Sequence, residues 1–245
     1  MRVDVKQDTM ANPEVAESQS LAEMSPVIVF GGMLTIKQLL PFYDKILHSG
    51  PDAELPNKER FFPIPKGHIA EPSEMYKRFE ERFLGAQEKI GRPVTVAGHS
   101  LGGLMATMVG VEHPDKVDDV VCIAGAQIGV RQESPTTKLL RHWVNRPEEA
   151  RHIRHDSDFM QEHHHNISTR WSPDVRLHLI SPTVDDLIPD QHGLKVELPE
   201  GQTADRLIAA PPILGVMRLL RAASHLPEDT RLLPSRPTGH VDIAI

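Results

Sequence analysis

The sequence predicts a three-layer α/β domain: a mostly parallel sheet of about six strands, helices on both faces, and a helical lid-like insertion. Three observations carry this. Short, wholly apolar runs alternate with longer stretches of helical period. The 245 residues hold 39% hydrophobic and 25% charged residues, an ordinary globular balance. A serine between two glycines stands where a strand pattern gives way to a helix pattern.

The elements follow in order. Val27–Phe30 (VIVF) reads as a buried strand ended by Gly31-Gly32. Residues Thr35–Leu47 carry Leu39, Leu40, Tyr43, Ile46 and Leu47 at helical spacing. Arg60–Ile64 is a second strand. The clearest helix is Pro72–Ile90, where Met75, Phe79, Phe83, Ala86 and Ile90 recur at three and four, and Gly91 with Pro93 ends it. Val94–Ala97 is a third strand, and Leu101–Glu112 a helix that stops before Pro114. Asp119–Ala124, Arg176–Ser181 and Arg231–Leu233 are the remaining strands. Strands that are apolar throughout, with helices between them, imply parallel pairing and a sheet covered on both faces. No linker divides the domain, which runs from residue 26 to 245 behind a polar segment, 1–25. Two stretches interrupt the alternation, at about 127–172 and 190–228. Both leave the carboxyl ends of strands, where open α/β sheets hold their sites.

Composition narrows the function. With 27 basic and 34 acidic residues the net charge is −7, which speaks against a nucleic-acid binder. No apolar run approaches the ~18 residues of a membrane span. The first 24 residues, rich in acids and amides, lack the basic start and apolar stretch of a secretory signal, so the chain as written reads as cytoplasmic. A chain from which a signal had been cleaved would instead be secreted. The single cysteine, Cys122, excludes an internal disulfide and reads as an inert core thiol.

The chemistry centres on Gly98-His99-Ser100-Leu101-Gly102-Gly103. A chain that reverses sharply from strand to helix forces Ser100 into a strained conformation, and side chains at 98 and 102 would collide across the turn. The strain lifts the Ser100 oxygen above the strand ends. The Leu101 amide, at the helix start, faces the same point and suits an oxyanion. Met33, after Gly31-Gly32, offers the best second amide, with Gly32 next. A serine hydroxyl needs a base. His240, in TGHVD after the last strand, fits the order Ser…Asp…His better than His225 does. The acid that orients the base is expected after strand Arg176–Ser181, with Asp185 ahead of Asp186 and Asp190.

These segments (VIVFGGML, VTVAGHSLGGLMA, SPTVDDLIP and TGHVDI) resemble the α/β-hydrolase superfamily, and within it compact lipases and esterases, from about Pro26 to Ile243. DSDFMQE is also similar to a stretch that lies near the active site in such lipases. The GHSLGG form is shared by thioesterases, amidases and acyltransferases. The resemblance implies a serine hydrolase of carboxylic esters working through an acyl-enzyme, with no cofactor. An acyltransferase, a thioesterase, or a non-catalytic ligand-binding homologue are the alternatives. Three departures stand out. Gly31-Gly32 replaces the usual His-Gly pair. Only Val3 and Val5 hint at the family's two extra initial strands. The sequence runs five residues past His240, so the helix that normally follows is expected to be absent or barely begun, with residues 1–24 the candidate cover for that face.

The two interrupting stretches carry apolar groups on the side where Ser100 must lie. Trp143, Phe159 and Trp171 in one, with Leu214, Val216 and Met217 in the other, would suit a channel for a hydrocarbon chain and transient contact with a lipid surface. The alternative is that they pack the insertions onto the sheet. The run His163-His164-His165 does not make a metal site, because neighbours on a helix point about 100° apart and no Cys or H-E-x-x-H supports one. A solvated lid helix is the plainer reading, and no metal is expected.

Overall fold

The four apolar residues of β1 (Val27–Phe30) start a sheet whose strands all run the same way. The computed structural model describes residues 25–31, 61–62, 72–127, 129, 153–182, 194–210 and 230–234. Among these, β2 is Phe61–Phe62, β3 Val94–His99, β4 Val117–Ile123, β5 Arg176–Pro182, β6 Asp205–Ala210 and β7 Thr230–Pro234. They form one parallel sheet in the order β2-β1-β3-β4-β5-β6-β7. From β1 the chain steps outward to β2 and then returns past β1 to β3. The order therefore reverses between β1 and β3. In open parallel sheets the crevice at such a reversal, beyond the carboxyl ends, is where ligands bind.

Three helices are described, α1 (Pro72–Ile90), α2 (Leu101–Glu112) and α3 (Asp158–Arg170), each the crossover between successive parallel strands. The α1 helix buries Pro72, Met75, Phe79, Phe83 and Ala86, the stripe its periodicity predicts. It starts on a proline, whose missing amide is no loss there, and ends at Gly91, with φ +74°. Phe30 of β1 packs on Phe79 of α1 and Phe62 of β2, with ring centroids 4.9 and 5.7 Å apart. The α2 helix is apolar on nearly every side, because sheet, α1 and α3 enclose it. The α3 helix is capped by Ser157, whose hydroxyl oxygen accepts from the Met160 amide at 3.2 Å, and it buries Met160, His163 and Ile167.

Two expectations need correction. Among the described residues the sheet has seven strands rather than about six, because β6 lies inside the stretch read as a second insertion. Ile208, within the stretch at about 190–228, is a fully buried core residue of β6. The strand also carries Arg206. The guanidinium is accommodated by backbone carbonyls, donating to Leu194 at 3.0 Å, Val196 at 3.2 Å and Ala204 at 3.4 Å. The second correction concerns α3, which the histidine run suggested was a solvated lid helix. It packs along α2 instead, and Arg170 pairs with Glu112 at its far end. His163 is accordingly buried, while His165 is exposed.

Candidate active site

The turn from β3 into α2 is built by glycines on three sides. An ideal Cβ on Gly98 would overlap the Gly102 backbone, as a tight turn requires. The reason for Gly102 differs from the expected clash across the turn. Its Cβ would overlap the carbonyl oxygens of Phe30 and Gly31, so this glycine lets α2 start against the end of β1. Gly103 faces Gly125, where an added Cβ would lie 3.1 Å from the Gly125 Cα.

Ser100 takes φ 55° and ψ −121°, a conformation that costs a residue with a side chain roughly 1–3 kcal/mol. The surrounding hydrogen bonds hold it there. Its amide donates to the Ile123 carbonyl at 2.9 Å. Its carbonyl accepts from the Gly103 amide at 3.0 Å and the Ala126 amide at 3.4 Å. Ala124, at the end of β4, also has positive φ (48°), and its amide donates to Ile180 at 2.7 Å. A serine before a helix ordinarily spends its oxygen capping the first amides. Ser100, with its unusual backbone, makes no such bond. The half-buried Ser100 thus carries a hydroxyl not consumed by the helix it begins.

Leu101 opens α2, and its amide is one of the first-turn donors that a helix leaves without an internal acceptor. Phe159, in the first turn of α3, is half-buried against the core. Met33, Trp143, Asp185, Leu214, Met217 and His240 lie outside the described residues, as do Gly32, Asp186, Asp190, Val216 and His225. Trp171 does not belong with a channel at the Ser100 end. Its indole N–H donates to Val175 at 2.9 Å, just before β5 begins, and its ring packs against Gly110 in the last turn of α2. Cys122 is buried below the turn, its thiol pushed up by burial and donating to the Gly103 carbonyl at 3.5 Å. It is a packing residue.

A buried polar cluster beside the turn escaped the sequence reading. The Thr107 hydroxyl lies 2.9 Å from Gln127 Oε1 and 3.4 Å from His163 Nε2. The His164 ring donates through Nε2 to the Gln127 carbonyl at 3.1 Å. Burial, and His164 beside it, push His163 down to about 3, so the ring is neutral. The available signal was a threonine inside the otherwise apolar α2.

A parallel sheet in this order, crossover helices, and a strained serine at the reversal point are consistent with the α/β-hydrolase fold. Residues 65–178 match the family model described as serine aminopeptidase, S33. Among solved structures, the chain is similar to a monoacylglycerol lipase from Paleococcus ferrophilus at 17% identity, covering 89% of this chain and 88% of that one, TM-score 0.45. It is also similar to a structure reported for carboxylesterases of Nitrososphaera gargenis, at 12% identity over 91% and 85% of the chains, TM-score 0.48. A third is a thioesterase domain from the curacin biosynthetic pathway, at 10% identity over 89% and 86%, TM-score 0.42. No curated protein sequence matches significantly. Among the described residues no helix is long and apolar enough to cross a membrane.

Proposed function

We propose that the protein is a serine hydrolase that cleaves carboxylic esters through an acyl-enzyme. The observation that carries this is Ser100, held at φ 55° at the reversal point of the sheet with its hydroxyl not used as a helix cap. In this reading Ser100 Oγ attacks the ester carbonyl carbon. His240 takes the hydroxyl proton and delivers it to the leaving alcohol. Asp185 holds the tautomer of His240, and the amides of Leu101 and Met33 receive the oxyanion. Water, deprotonated by His240, then releases the acid. Trp143, Phe159, Leu214 and Met217 line the acyl site. No cofactor takes part.

The name of the matching family favours a second reading, cleavage of an amide at a peptide N-terminus by the same groups. A panel of p-nitrophenyl esters from acetate to decanoate, beside aminoacyl p-nitroanilides and acyl thioesters, separates these. Ester turnover whose kcat/KM rises towards medium chains is expected, since each buried methylene is worth ~0.8 kcal/mol. A preference for anilides would overturn the ester reading, and a peak at acetate would remove the acyl channel.

A further inference from the structure

We propose that Gln127, held by Thr107 and His164, is a positioning residue that aims the Leu101 amide. The proposal rests on the reading of Ser100 as nucleophile and of Leu101 as an oxyanion donor. Its physical basis is the peptide that joins them. The Ser100 carbonyl and the Leu101 N–H belong to one planar trans unit and point in opposite directions. Whatever fixes the carbonyl therefore fixes the amide.

Two donors fix that carbonyl, the amides of Gly103 and Ala126. Gln127 backs both. Its side-chain nitrogen sits against Gly103 and Gly125, where added Cβ atoms would lie 3.5 and 2.6 Å from it. Its backbone continues directly from Ala126. The side chain is only 1% exposed and is held by the Thr107 hydroxyl of α2. Its carbonyl is held by His164 of α3. His163 closes the group from α3 by facing the same hydroxyl. Two helices and the segment after β4 thus meet on one residue, which lies beside Gly103 and follows Ala126 in the chain. The side chains of Thr107, Gln127 and His163 are buried, so the effect of the cluster on the reaction passes through the Ser100–Leu101 peptide.

An oxyanion donor acts in the transition state more than in the ground state. Loosening its aim should lower kcat and leave KM nearly unchanged. The test uses the full chain, p-nitrophenyl butyrate as substrate, and Thr107→Val, Thr107→Ser and Gln127→Met. Thr107→Val keeps the shape and removes the hydroxyl, and Thr107→Ser keeps the hydroxyl. The expected result is kcat lowered about tenfold in Thr107→Val and Gln127→Met, with KM within about twofold, and recovery to near wild type in Thr107→Ser. An unchanged kcat in folded Thr107→Val, or a Thr107→Ser as slow as Thr107→Val, overturns the proposal. If Gln127→Met does not fold, the Val and Ser pair decides alone. Labelling of the wild type by a fluorophosphonate separates the two layers. Adduct on Ser100 with unaffected variants removes only the positioning role. A wild type that is neither labelled nor active removes the nucleophile reading, and this proposal with it.

Discussion

The Cα of Gly102 stands so close to the Phe30 carbonyl that no side chain fits between them. This contact joins the start of α2 to the end of β1 and sets how near the Ser100 turn lies to the chain leaving Gly31. Gly102→Ala should therefore push α2 away from β1, lowering the melting temperature and depressing turnover at least tenfold. Gly85→Ala is the control. Gly85 is an exposed position in α1 with nothing near an added Cβ, and the change there should add about 0.4–1 kcal/mol of stability. Thermal melts and ester assays on both variants check the pair. A Gly102→Ala protein as stable and active as the wild type would show that the approach is not needed.

Trp171 should matter for stability and not for substrate choice. It packs on Gly110 and bonds Val175, at the end of α2 away from Ser100. Trp171→Ala is expected to cost ~3–5 kcal/mol in urea unfolding. The dependence of kcat/KM on acyl length should be unchanged, whereas Phe159→Ala should flatten it. A Trp171→Ala protein of normal stability with an altered chain-length profile would return this residue to the acyl site.

His163 should make the fold acid-sensitive. The buried ring takes a proton only near pH 3, whereas an unfolded chain takes one at about 6.5. Above about 6.5 the ring is neutral in both states and its contribution is fully present. As pH falls below that value the unfolded chain gains a proton that the fold refuses, and stability is lost progressively until the folded ring also titrates. Between about pH 7 and about pH 5 the wild type should lose ~2 kcal/mol more than His163→Gln. Urea unfolding at the two pH values measures this. Equal losses in both proteins would mean that His163 is accessible to protons in the fold.

Much of this architecture was legible locally. The bounds of β1, α1 and α2 follow from apolar runs, from the Met75, Phe79, Phe83 stripe and from the glycines that end them. What escaped the sequence depended on distant partners. The β6 strand opens with Asp205 and Arg206, and the arginine is tolerable there only because carbonyls between Leu194 and Ala204 receive it. His163 reads as a surface residue until Thr107 of α2 is placed beside it. Gln127 shows no pattern at all, since its partners come from two helices. In the candidate site, the Ser100 turn could be read because its glycines and serine are adjacent in sequence. His240 and Asp185 rest on chain order alone.

The order Ser100, Asp185, His240 makes its own prediction. Residues that act as a unit lose their effect together, so His240→Ala should slow turnover about as much as Ser100→Ala. Asp185→Asn should be severe and Asp186→Asn mild. Steady-state kinetics on the four variants test this. A damaging Asp186→Asn beside a mild Asp185→Asn would move the acid by one residue.

The central claim is that Ser100 is the nucleophile, and covalent labelling tests it most directly. The protein is treated with a fluorophosphonate and the adduct is mapped by mass spectrometry, with Ser100→Ala treated in parallel. One adduct on Ser100, no labelling of the variant, and an ester turnover lowered by a factor on the order of 10³ or more in the variant are expected. An adduct on another residue, or a folded Ser100→Ala protein that still turns over esters, would contradict the account.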